Sequence, residues 1–418
     1  MNAFVERVKK AEEALGALFP PTPLQHNAYL SRKTGAHIYL KREDLTPVRS
    51  YKLRGAFTFI RRALEADQGV ESFVCASAGN HAQGFAYACR HFRKKGVVFM
   101  PVTTPQQKID KTRLFGGEYI EVRLVGDFFD DCNRAAEVFA ASTTALMVPP
   151  FDHEDIIEGQ ATIGLELVQQ LGDRLDGALI ILPVGGGGLA SGVTSYLREV
   201  GAGCEFLFVE PAGAPSLARS LEAGRRIRLP LVDTFVDGAA VAEIGKEPFR
   251  RLKSFPAESV HLVPENSICS AIIDMLNIEG VVLEPAGAMS IDVLKTLPRA
   301  SIKGRTVVCL ISGGNFDFER LPDVKERALR FEGKKKYFIF RFPQRPGALR
   351  DFLGLLGPED DITRFEYLKK SARNFGSVLI GIETKDARNF KGLIKRFDES
   401  GWAYQDITDN ETIFSLLI

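Results

Sequence analysis

One apolar run that ends in four consecutive glycines limits the fold of this chain more than any other feature. Residues 180–184 have the composition of a buried strand, Gly185, Gly186, Gly187 and Gly188 follow, and Leu189 begins a run with helical spacing. Without a Cβ, such a loop wraps closely around an anion and points its N–H groups at it, and the next helix adds its positive N-terminal end. The loop lacks the spacing of a dinucleotide site and the lysine of a P-loop, so it suits a phosphate monoester better than a nucleotide. A merely flexible turn is the alternative.

The same alternation of strand and helix extends over most of the chain. Apolar, strand-like runs are found at residues 72–76, 96–101, 118–125, 177–184, 204–209 and 305–311. Helical spacing is found at residues 3–18, 80–90, 105–115, 160–171, 189–200, 265–278 and 287–297. This alternation predicts parallel βα units, and therefore an α/β body over residues 1–318 made of two lobes with parallel sheets, the smaller lobe spanning roughly residues 45–150.

The composition changes after residue 318. Residues 319–336 form a charged helix that ends in a lysine run, which is typical of a solvated linker. Beyond it, strands are predicted at 337–342, 362–368, 376–383 and 402–407, and helices at 346–356 and 387–400. This βαββαβ order predicts a separate α+β domain of the ferredoxin-like type at 337–418.

Composition excludes several classes of function. A formal net charge of +1 on 418 residues gives no reason to expect nucleic acid as a partner. No apolar segment is long enough for a bilayer and no signal peptide is evident, so we expect a cytoplasmic protein without a membrane anchor. The six cysteines are scattered and the six histidines lack ligand spacing, so we expect reduced core cysteines and no metal site.

A lysine near the start of a helix is the first candidate for chemistry. Lys52 lies in the sequence Ser-Tyr-Lys-Leu-Arg-Gly-Ala at 50–56, shortly after the charged end of a strand at 41–44. The unpaired N–H groups and dipole of a helix N-terminus oppose a cation, which favours a lowered pKa and a lysine that acts as nucleophile or base. A solvated lysine in the first helical turn is the alternative.

Two further loops follow predicted strands. In the first, at 77–84, Ser77 and Asn80 flank Gly79 and can offer donors to a carboxylate, while ordinary helix capping is the alternative. In the second, at 312–315, Ser312 lies at the carboxyl edge of the sheet, where ligands of α/β proteins bind, unless it merely starts a turn. His81 and His153 are expected to be surface or capping residues.

These features together resemble the fold type II pyridoxal-phosphate enzymes and, within them, the threonine dehydratases of the biosynthetic type. The resemblance rests on residues 41–44, 50–56, 77–84, 183–189, 284–288 and 312–315, which spread over nearly all of the first 318 residues. The C-terminal domain, with its Arg-Pro-Gly-Ala-Leu at 345–349, is similar to a single ACT-like regulatory domain. Some threonine dehydratases carry two such domains, and this chain has room for one.

The resemblance implies a role for each matching residue. Lys52 is expected to form the Schiff base with pyridoxal 5'-phosphate, Asn80 to bond the ring oxygen of the cofactor, and Ser312 to face its pyridine nitrogen. The cofactor phosphate is expected on Gly185, Gly186, Gly187, Gly188 and Leu189. The substrate carboxylate is expected on Ser77, Ala78, Gly79, Asn80 and His81.

The implied reaction is the β-elimination and deamination of L-threonine, which gives 2-oxobutyrate and ammonia, with L-serine as an alternative substrate. As the first step of isoleucine biosynthesis it would be inhibited by isoleucine and relieved by valine, in a homotetramer. The alternatives are a catabolic serine/threonine dehydratase, a threonine synthase, a cysteine synthase relative, or a non-enzymatic amino-acid sensor. A threonine synthase handles a phosphorylated substrate, and no extra basic cluster accompanies the loops in the sequence.

Two differences from the serine racemases bear on the reaction and on metal binding. Serine racemases resemble this family but carry a second serine, used as an acid/base, where this chain has Ala78, so racemisation should be poor. Their metal site is matched at Glu210 and Ala214 but not at Ser216, which stands where a carboxylate is needed, so we expect no divalent cation.

Overall fold

The computed structural model describes residues 3–367, 374–410 and 412–413. They form two compact units, Met1–Asp317 and Phe318–Ile418. The last residue of the strand predicted at 362–368 lies outside the described residues. Among the described residues, no helix has the length and apolar character needed to cross a membrane.

The first unit alternates helices and strands along the chain, as the sequence pattern predicts. Its helices are α1 (Ala3–Gly16), α2 (Ala28–Thr34), α3 (Lys52–Ala66), α4 (Asn80–Phe92), α5 (Gln106–Gly116), α6 (Phe129–Ser142), α7 (Glu154–Leu171), α8 (Gly188–Glu199), α9 (Ser216–Ala223), α10 (Lys246–Leu252), α11 (Glu265–Glu279), α12 (Pro285–Asp292) and α13 (Arg299–Ile302). Its strands are β1 (Leu24–His26), β2 (His37–Arg42), β3 (Ser72–Ala76), β4 (Lys95–Met100), β5 (Ile120–Leu124), β6 (Leu146–Met147), β7 (Leu179–Pro183), β8 (Glu205–Pro211), β9 (Val260–Val263) and β10 (Thr306–Ile311).

These strands build two sheets. The larger one has the order β1-β2-β10-β7-β8-β9 and is parallel except for the edge strand β1. The smaller one has the order β5-β4-β3-β6 and is entirely parallel. Central strands such as β7 are buried along their whole length, as expected of parallel strands covered by helices on both faces. The expected fold, two lobes with parallel sheets flanked by helices, is confirmed.

Helix α7 begins earlier than its sequence pattern predicts. We predicted a helix over 160–171, but α7 begins at Glu154. His153 caps it, since its ring nitrogen Nδ1 accepts the backbone N–H of Asp155 at 3.1 Å, and two acidic residues occupy its first turn. The capping role expected of His153 is thus confirmed, but the cap signal lies in a histidine rather than in the usual Ser, Thr, Asp or Asn.

A buried cluster of charges fixes the helix that carries Lys52. Arg54 of α3 is fully buried, and its guanidinium donates to both oxygens of Glu43, at 2.8 and 2.9 Å. It also pairs with Glu166 of α7 at 2.7 Å, and Lys41 of β2 pairs with the same carboxylate. The charged motif at 41–44 therefore lies inside the protein, where it joins β2, α3 and α7 rather than facing solvent.

The second unit is a four-stranded antiparallel sheet with helices. Its elements are α14 (Leu321–Phe331), β11 (Lys335–Pro343), α15 (Ala348–Leu353), β12 (Asp360–Tyr367), β13 (Phe375–Thr384), α16 (Asn389–Glu399) and β14 (Tyr404–Asp406). The strand order β12-β13-β11-β14 and the βαββαβ connection are those of the ferredoxin-like fold, so that prediction is confirmed. Its core is strongly aromatic, with Phe338, Phe340, Phe342, Phe352 and Phe397 buried together.

Candidate active site

Lys52 is the first residue of α3 and is partly buried. The ammonium nitrogen Nζ donates to the carbonyl of Pro150 at 2.8 Å, and it lies 5.4 Å from the centroid of the Tyr51 ring and 5.8 Å from that of Phe151. Burial lowers the pKa of Lys52 to about 8, against which the charge of Glu284 acts weakly. The lowered pKa that we expected from the helix dipole is therefore present, with desolvation as its main cause.

The carboxyl end of β10 lies beside the segment that carries this lysine. Ser312, directly after β10, is buried, and its carbonyl accepts the backbone N–H of Tyr51 at 3.1 Å. The neighbouring residues Ser50 and Gly313 form an isolated antiparallel bridge. Ser312 thus lies beside the segment that carries Lys52, at the edge of the sheet where α/β proteins bind ligands.

The glycine loop connects β7 to α8 and approaches Lys52 through Phe151. Gly187 has a φ of +86°, a conformation that favours glycine, and a Cβ on Gly186 would lie 2.3 Å from the Phe151 ring. The first turn of α8, including Leu189, has backbone N–H groups without partners inside the helix. The loop therefore combines close packing against an aromatic ring with amides free to bind an anion.

The loop after β3 forms another wall of the site. Ser77 folds its hydroxyl back to accept the backbone N–H of Gly79 at 3.2 Å, and α4 begins at Asn80. This helix packs tightly against α3, since a Cβ on Gly84 would lie within about 3 Å of the backbone of Lys52 and Leu53. Ala78 packs at the margin of the small lobe's core.

His81 is buried at the same place, so our expectation of a surface or capping residue is wrong for it. Its Nε2 lies 2.9 Å from the carbonyl of Val148. Burial, together with the nearby charge of Lys52, lowers the pKa of His81 to about 3, so this histidine is neutral at physiological pH.

Asn80 belongs to a hydrogen-bonded chain that the sequence reading did not anticipate. Its Nδ2 donates to Glu284, at 2.7 and 3.0 Å from the two carboxylate oxygens, and its Oδ1 accepts from Asn315 Nδ2 at 2.8 Å. Asn315 also donates to the carbonyl of Val48 at 2.9 Å. The only sequence signals for this chain were the motifs at 284–288 and 312–315, to which no role for Glu284 or Asn315 had been attached.

Two lysines of α5 also lie close to this chain. Lys111 Nζ is 3.5 Å from Asn315 Oδ1, and Lys108 pairs with Asp237. Both lysines lower the pKa of Glu284, which burial and the charge of Asp237 raise to about 7. The sequence had suggested no basic cluster near the loops, and this expectation was wrong because α5 is far from them in the chain.

Comparison with known proteins gives the family. Residues 17–313 match the family model described as pyridoxal-phosphate dependent enzyme, and residues 326–417 match the one described as the C-terminal regulatory domain of threonine dehydratase. The chain is 45% identical over 415 residues to the L-threonine dehydratase biosynthetic IlvA of Halalkalibacterium halodurans, covering 99% of each chain. The chain belongs to the pyridoxal-phosphate-dependent enzymes, among the biosynthetic threonine dehydratases.

Other members of the family are similar over comparable lengths. The L-threonine dehydratase biosynthetic IlvA of Bacillus subtilis is 44% identical, with 99% of this chain and 97% of that protein covered. Among solved structures, the processed form of threonine deaminase isoform 2 from Solanum lycopersicum superposes with a TM-score of 0.71 at 35% identity, over 78% of this chain and 93% of that one. The resemblance given by the sequence motifs, its cofactor and its regulatory domain are thereby confirmed.

The residues at the site fit pyridoxal phosphate. A covalent link to an aldehyde needs an unprotonated amine, and Lys52 has a lowered pKa and no carboxylate bonded to its Nζ. The phosphate needs donors, which the first turn of α8 offers, while the glycine loop has no side chains to obstruct it. The neutral donor Asn80 lies on another wall of the same site.

Glu210, which the sequence analysis compared with a metal ligand, caps a helix. Glu210 is buried and its two oxygens accept the backbone N–H groups of Leu217 and Ala218, at 2.7 and 2.9 Å. Ser216 begins α9, so this carboxylate serves as a cap for that helix. Within residues 3–367, 374–410 and 412–413, no group of three or more His, Cys, Asp or Glu side chains is placed to hold a metal ion.

Proposed function

We propose that this chain is a threonine ammonia-lyase that converts L-threonine to 2-oxobutyrate and ammonia with pyridoxal phosphate as its cofactor. The observation that carries the proposal is the amine of Lys52, whose pKa is lowered and which lies near the Phe151 ring that packs on the glycine loop, in a chain 45% identical over 415 residues to an L-threonine dehydratase. The same relatives are of the biosynthetic type, which supports a place at the first step of isoleucine biosynthesis.

Lys52 has two tasks in this proposal. Its Nζ would hold the cofactor covalently and, when free, would accept the proton from the α-carbon of threonine. The lowered pKa supports both tasks, because the amine is half unprotonated near pH 8, where an ordinary lysine is almost entirely protonated. Bound pyridoxal phosphate supplies an electron sink for the α-carbon.

The other residues of the site would bind and orient the cofactor and the substrate. Asn80 would bond the ring oxygen of the cofactor, and Ser312 would face its pyridine nitrogen with a neutral hydroxyl that does not hold a proton there. Gly185, Gly186, Gly187, Gly188 and Leu189 would hold the cofactor phosphate. The substrate carboxylate would bind to Ser77, Ala78, Gly79, Asn80 and His81.

The products follow from the bonds that break. Removal of the α-proton and departure of the β-hydroxyl release one water and leave an enamine. Its hydrolysis consumes one water and gives 2-oxobutyrate and ammonia. The alternative substrate L-serine fits the same sequence of steps.

We further propose that the C-terminal unit makes the enzyme sensitive to isoleucine, with relief by valine, in a cytoplasmic homotetramer. The match of residues 326–417 to a regulatory domain supports this. In physical terms, the effector must bind one of two states of the enzyme more tightly than the other. A chain truncated after Glu332 is expected to keep its activity and lose its response to isoleucine, and inhibition that persists in the truncated chain contradicts this assignment.

The direct test of the activity compares three proteins. Purified wild type supplied with cofactor should release 2-oxobutyrate from L-threonine, the Lys52→Ala variant should release none, and the control Lys10→Ala, which removes an exposed lysine of α1, should match wild type. Because Lys108 and Lys111 lie near the site, O-phosphohomoserine is the informative competing substrate. Turnover of that phosphoester without ketoacid release from threonine would establish a threonine synthase instead.

A further inference from the structure

Glu284 is a buried carboxylate at the centre of the site for which the reaction as described has no role. It is the residue before the first turn of α12 and is only 6% exposed. Its backbone N–H donates to the carbonyl of Gly313 at 3.4 Å, and a Cβ on Gly313 would lie 2.2 Å from Oε1. The carboxylate is thus held against the loop that follows Ser312, where no side chain larger than hydrogen fits.

The contacts of Asn80 explain what this carboxylate does. An ionised carboxylate only accepts hydrogen bonds, so the end of the Asn80 amide that faces Glu284 must be the Nδ2 end. The opposite end accepts from Asn315, whose own Nδ2 is also bound to the carbonyl of Val48. Because Glu284 accepts at one end of the amide and Asn315 donates at the other, only one orientation of the Asn80 side chain satisfies both contacts.

This orientation matters because the Asn80 Nδ2 carries two hydrogens. One is taken by the carboxylate, and the other remains for a second acceptor. If the amide turned over, its oxygen would face the site instead and would repel an anionic ring oxygen. The direction in which Asn80 presents its donor is therefore set from outside Asn80.

We propose that Glu284 is a positioning residue that fixes the Asn80 amide with its donor towards the 3'-oxygen of the cofactor, and so strengthens cofactor binding through Asn80. The inference rests on the proposed function, because it takes Asn80 as the residue that bonds that oxygen. It predicts that the effect of Glu284 disappears when Asn80 is absent.

Other charged and titratable groups surround Glu284 and bear on its protonation. They come from the segment at Tyr51 and Lys52, from Lys108 and Lys111 of α5, and from Asp237. Burial and Asp237 raise the pKa of Glu284 to about 7, while the lysines and the Asn80 hydrogen bond act in the opposite direction. When Glu284 is protonated it still has an oxygen that accepts from Asn80, and Asn315, which is bound to the carbonyl of Val48, still donates to the Asn80 oxygen, so the orientation survives across neutral pH. This is why the uncharged amide of a glutamine should replace the carboxylate.

The test measures the dissociation constant of pyridoxal phosphate from the visible absorbance that it gains on binding the full-length protein. Glu284→Ala is expected to weaken binding about tenfold, the cost of leaving one polar partner unpaired. Glu284→Gln is expected to restore most of the affinity because it keeps an acceptor. In the Asn80→Ala background, Glu284→Ala is expected to change the constant less than twofold, so the two effects are not additive.

Two controls complete the experiment. Glu265→Ala removes a carboxylate at the start of α11 that binds the backbone N–H of Gly213 at 2.8 Å, and it should leave cofactor affinity unchanged. If Glu284→Ala does not fold, Glu284→Asp shortens the side chain by one methylene, and its effect on binding should likewise vanish without Asn80.

The outcomes separate this inference from the proposed function. Additive effects of Glu284 and Asn80 substitutions, or a Glu284→Gln variant as weak as Glu284→Ala, overturn the positioning role while the enzyme assignment stands. A wild-type protein that gains no visible absorbance with pyridoxal phosphate overturns the proposed function, and with it this inference.

Discussion

The fully buried Arg54 gives the sharpest stability prediction. Two cations, Lys41 and Arg54, face two carboxylates, Glu43 and Glu166, and all four side chains are at most 1% exposed. Replacing Arg54 with methionine leaves one cation for two buried carboxylates, and also removes a donor to Thr162 at 3.0 Å. Removing one partner of a buried ion pair costs about 3–5 kcal/mol, so we expect a loss of about 4 kcal/mol in the free energy of unfolding.

The loss should depend on pH in a definite direction. In the variant, one carboxyl lacks its cation and has a higher pKa in the folded state than in the unfolded state. The folded state then binds more protons, so lowering the pH reduces the loss and raising it restores the full penalty. Combining Arg54→Met with Glu43→Gln should likewise recover part of the stability, because it removes one of the stranded charges.

Urea denaturation followed by far-UV circular dichroism measures this loss. The only tryptophan, Trp402, lies in the second unit, so its fluorescence reports on that unit and serves as an internal control. Arg61→Ala is the matched variant on the same helix, since Arg61 pairs with the exposed Glu65 one turn further on, and it should cost less than about 1 kcal/mol. Equal losses for the Arg54 and Arg61 variants, or a loss that grows on acidification, would refute the reasoning.

Three further predictions concern the site. The rate at which the apoprotein takes up pyridoxal phosphate should rise with pH around a midpoint near 8, because the pKa of Lys52 is lowered to about 8. A rate that keeps rising towards the ordinary pKa of lysine would contradict the lowered pKa. Gly186→Ala should weaken cofactor binding, because the added Cβ would lie 2.3 Å from the Phe151 ring. The control Gly16→Ala should leave binding unchanged, because a Cβ there would meet no atom within 4 Å. Equal affinities of the two variants would exclude this packing constraint. Ala78→Ser should introduce measurable racemisation of L-serine, because it places a hydroxyl in the loop after β3. Chiral chromatography would measure the D-serine formed. D-serine no higher than the wild-type level would count against Ala78 as the residue that prevents racemisation.

Local patterns in the sequence were sufficient for the elements that carry the site. The buried strand before the glycines, the helix that begins at Lys52 and the loops after β3 and β10 each leave a signal within about ten residues, because strand burial, glycine conformation and helix ends are local matters. The loops after β7 and β10 lie close together because these strands are parallel neighbours in the larger sheet. The loop after β3 belongs to the smaller sheet and is brought to the site by the packing of α4 on α3.

The residues that were missed depend on contacts between distant parts of the chain. Asn80 and Glu284 are 204 positions apart, and no pattern in one sequence reveals that a carboxylate will face that amide. Phe151 follows two prolines at the junction between the lobes, and only the fold shows that its ring packs on the glycine loop. The buried state of Lys41 and Arg54 was hidden for the same reason, since their partner Glu166 lies on α7.

The most direct test of the central claim is borohydride reduction of the cofactor-loaded protein, followed by mass spectrometry of its proteolytic peptides. We expect a pyridoxyl phosphate adduct on Lys52 and on no other lysine. An unmodified Lys52, or an adduct on a different lysine with activity retained in Lys52→Ala, would contradict it.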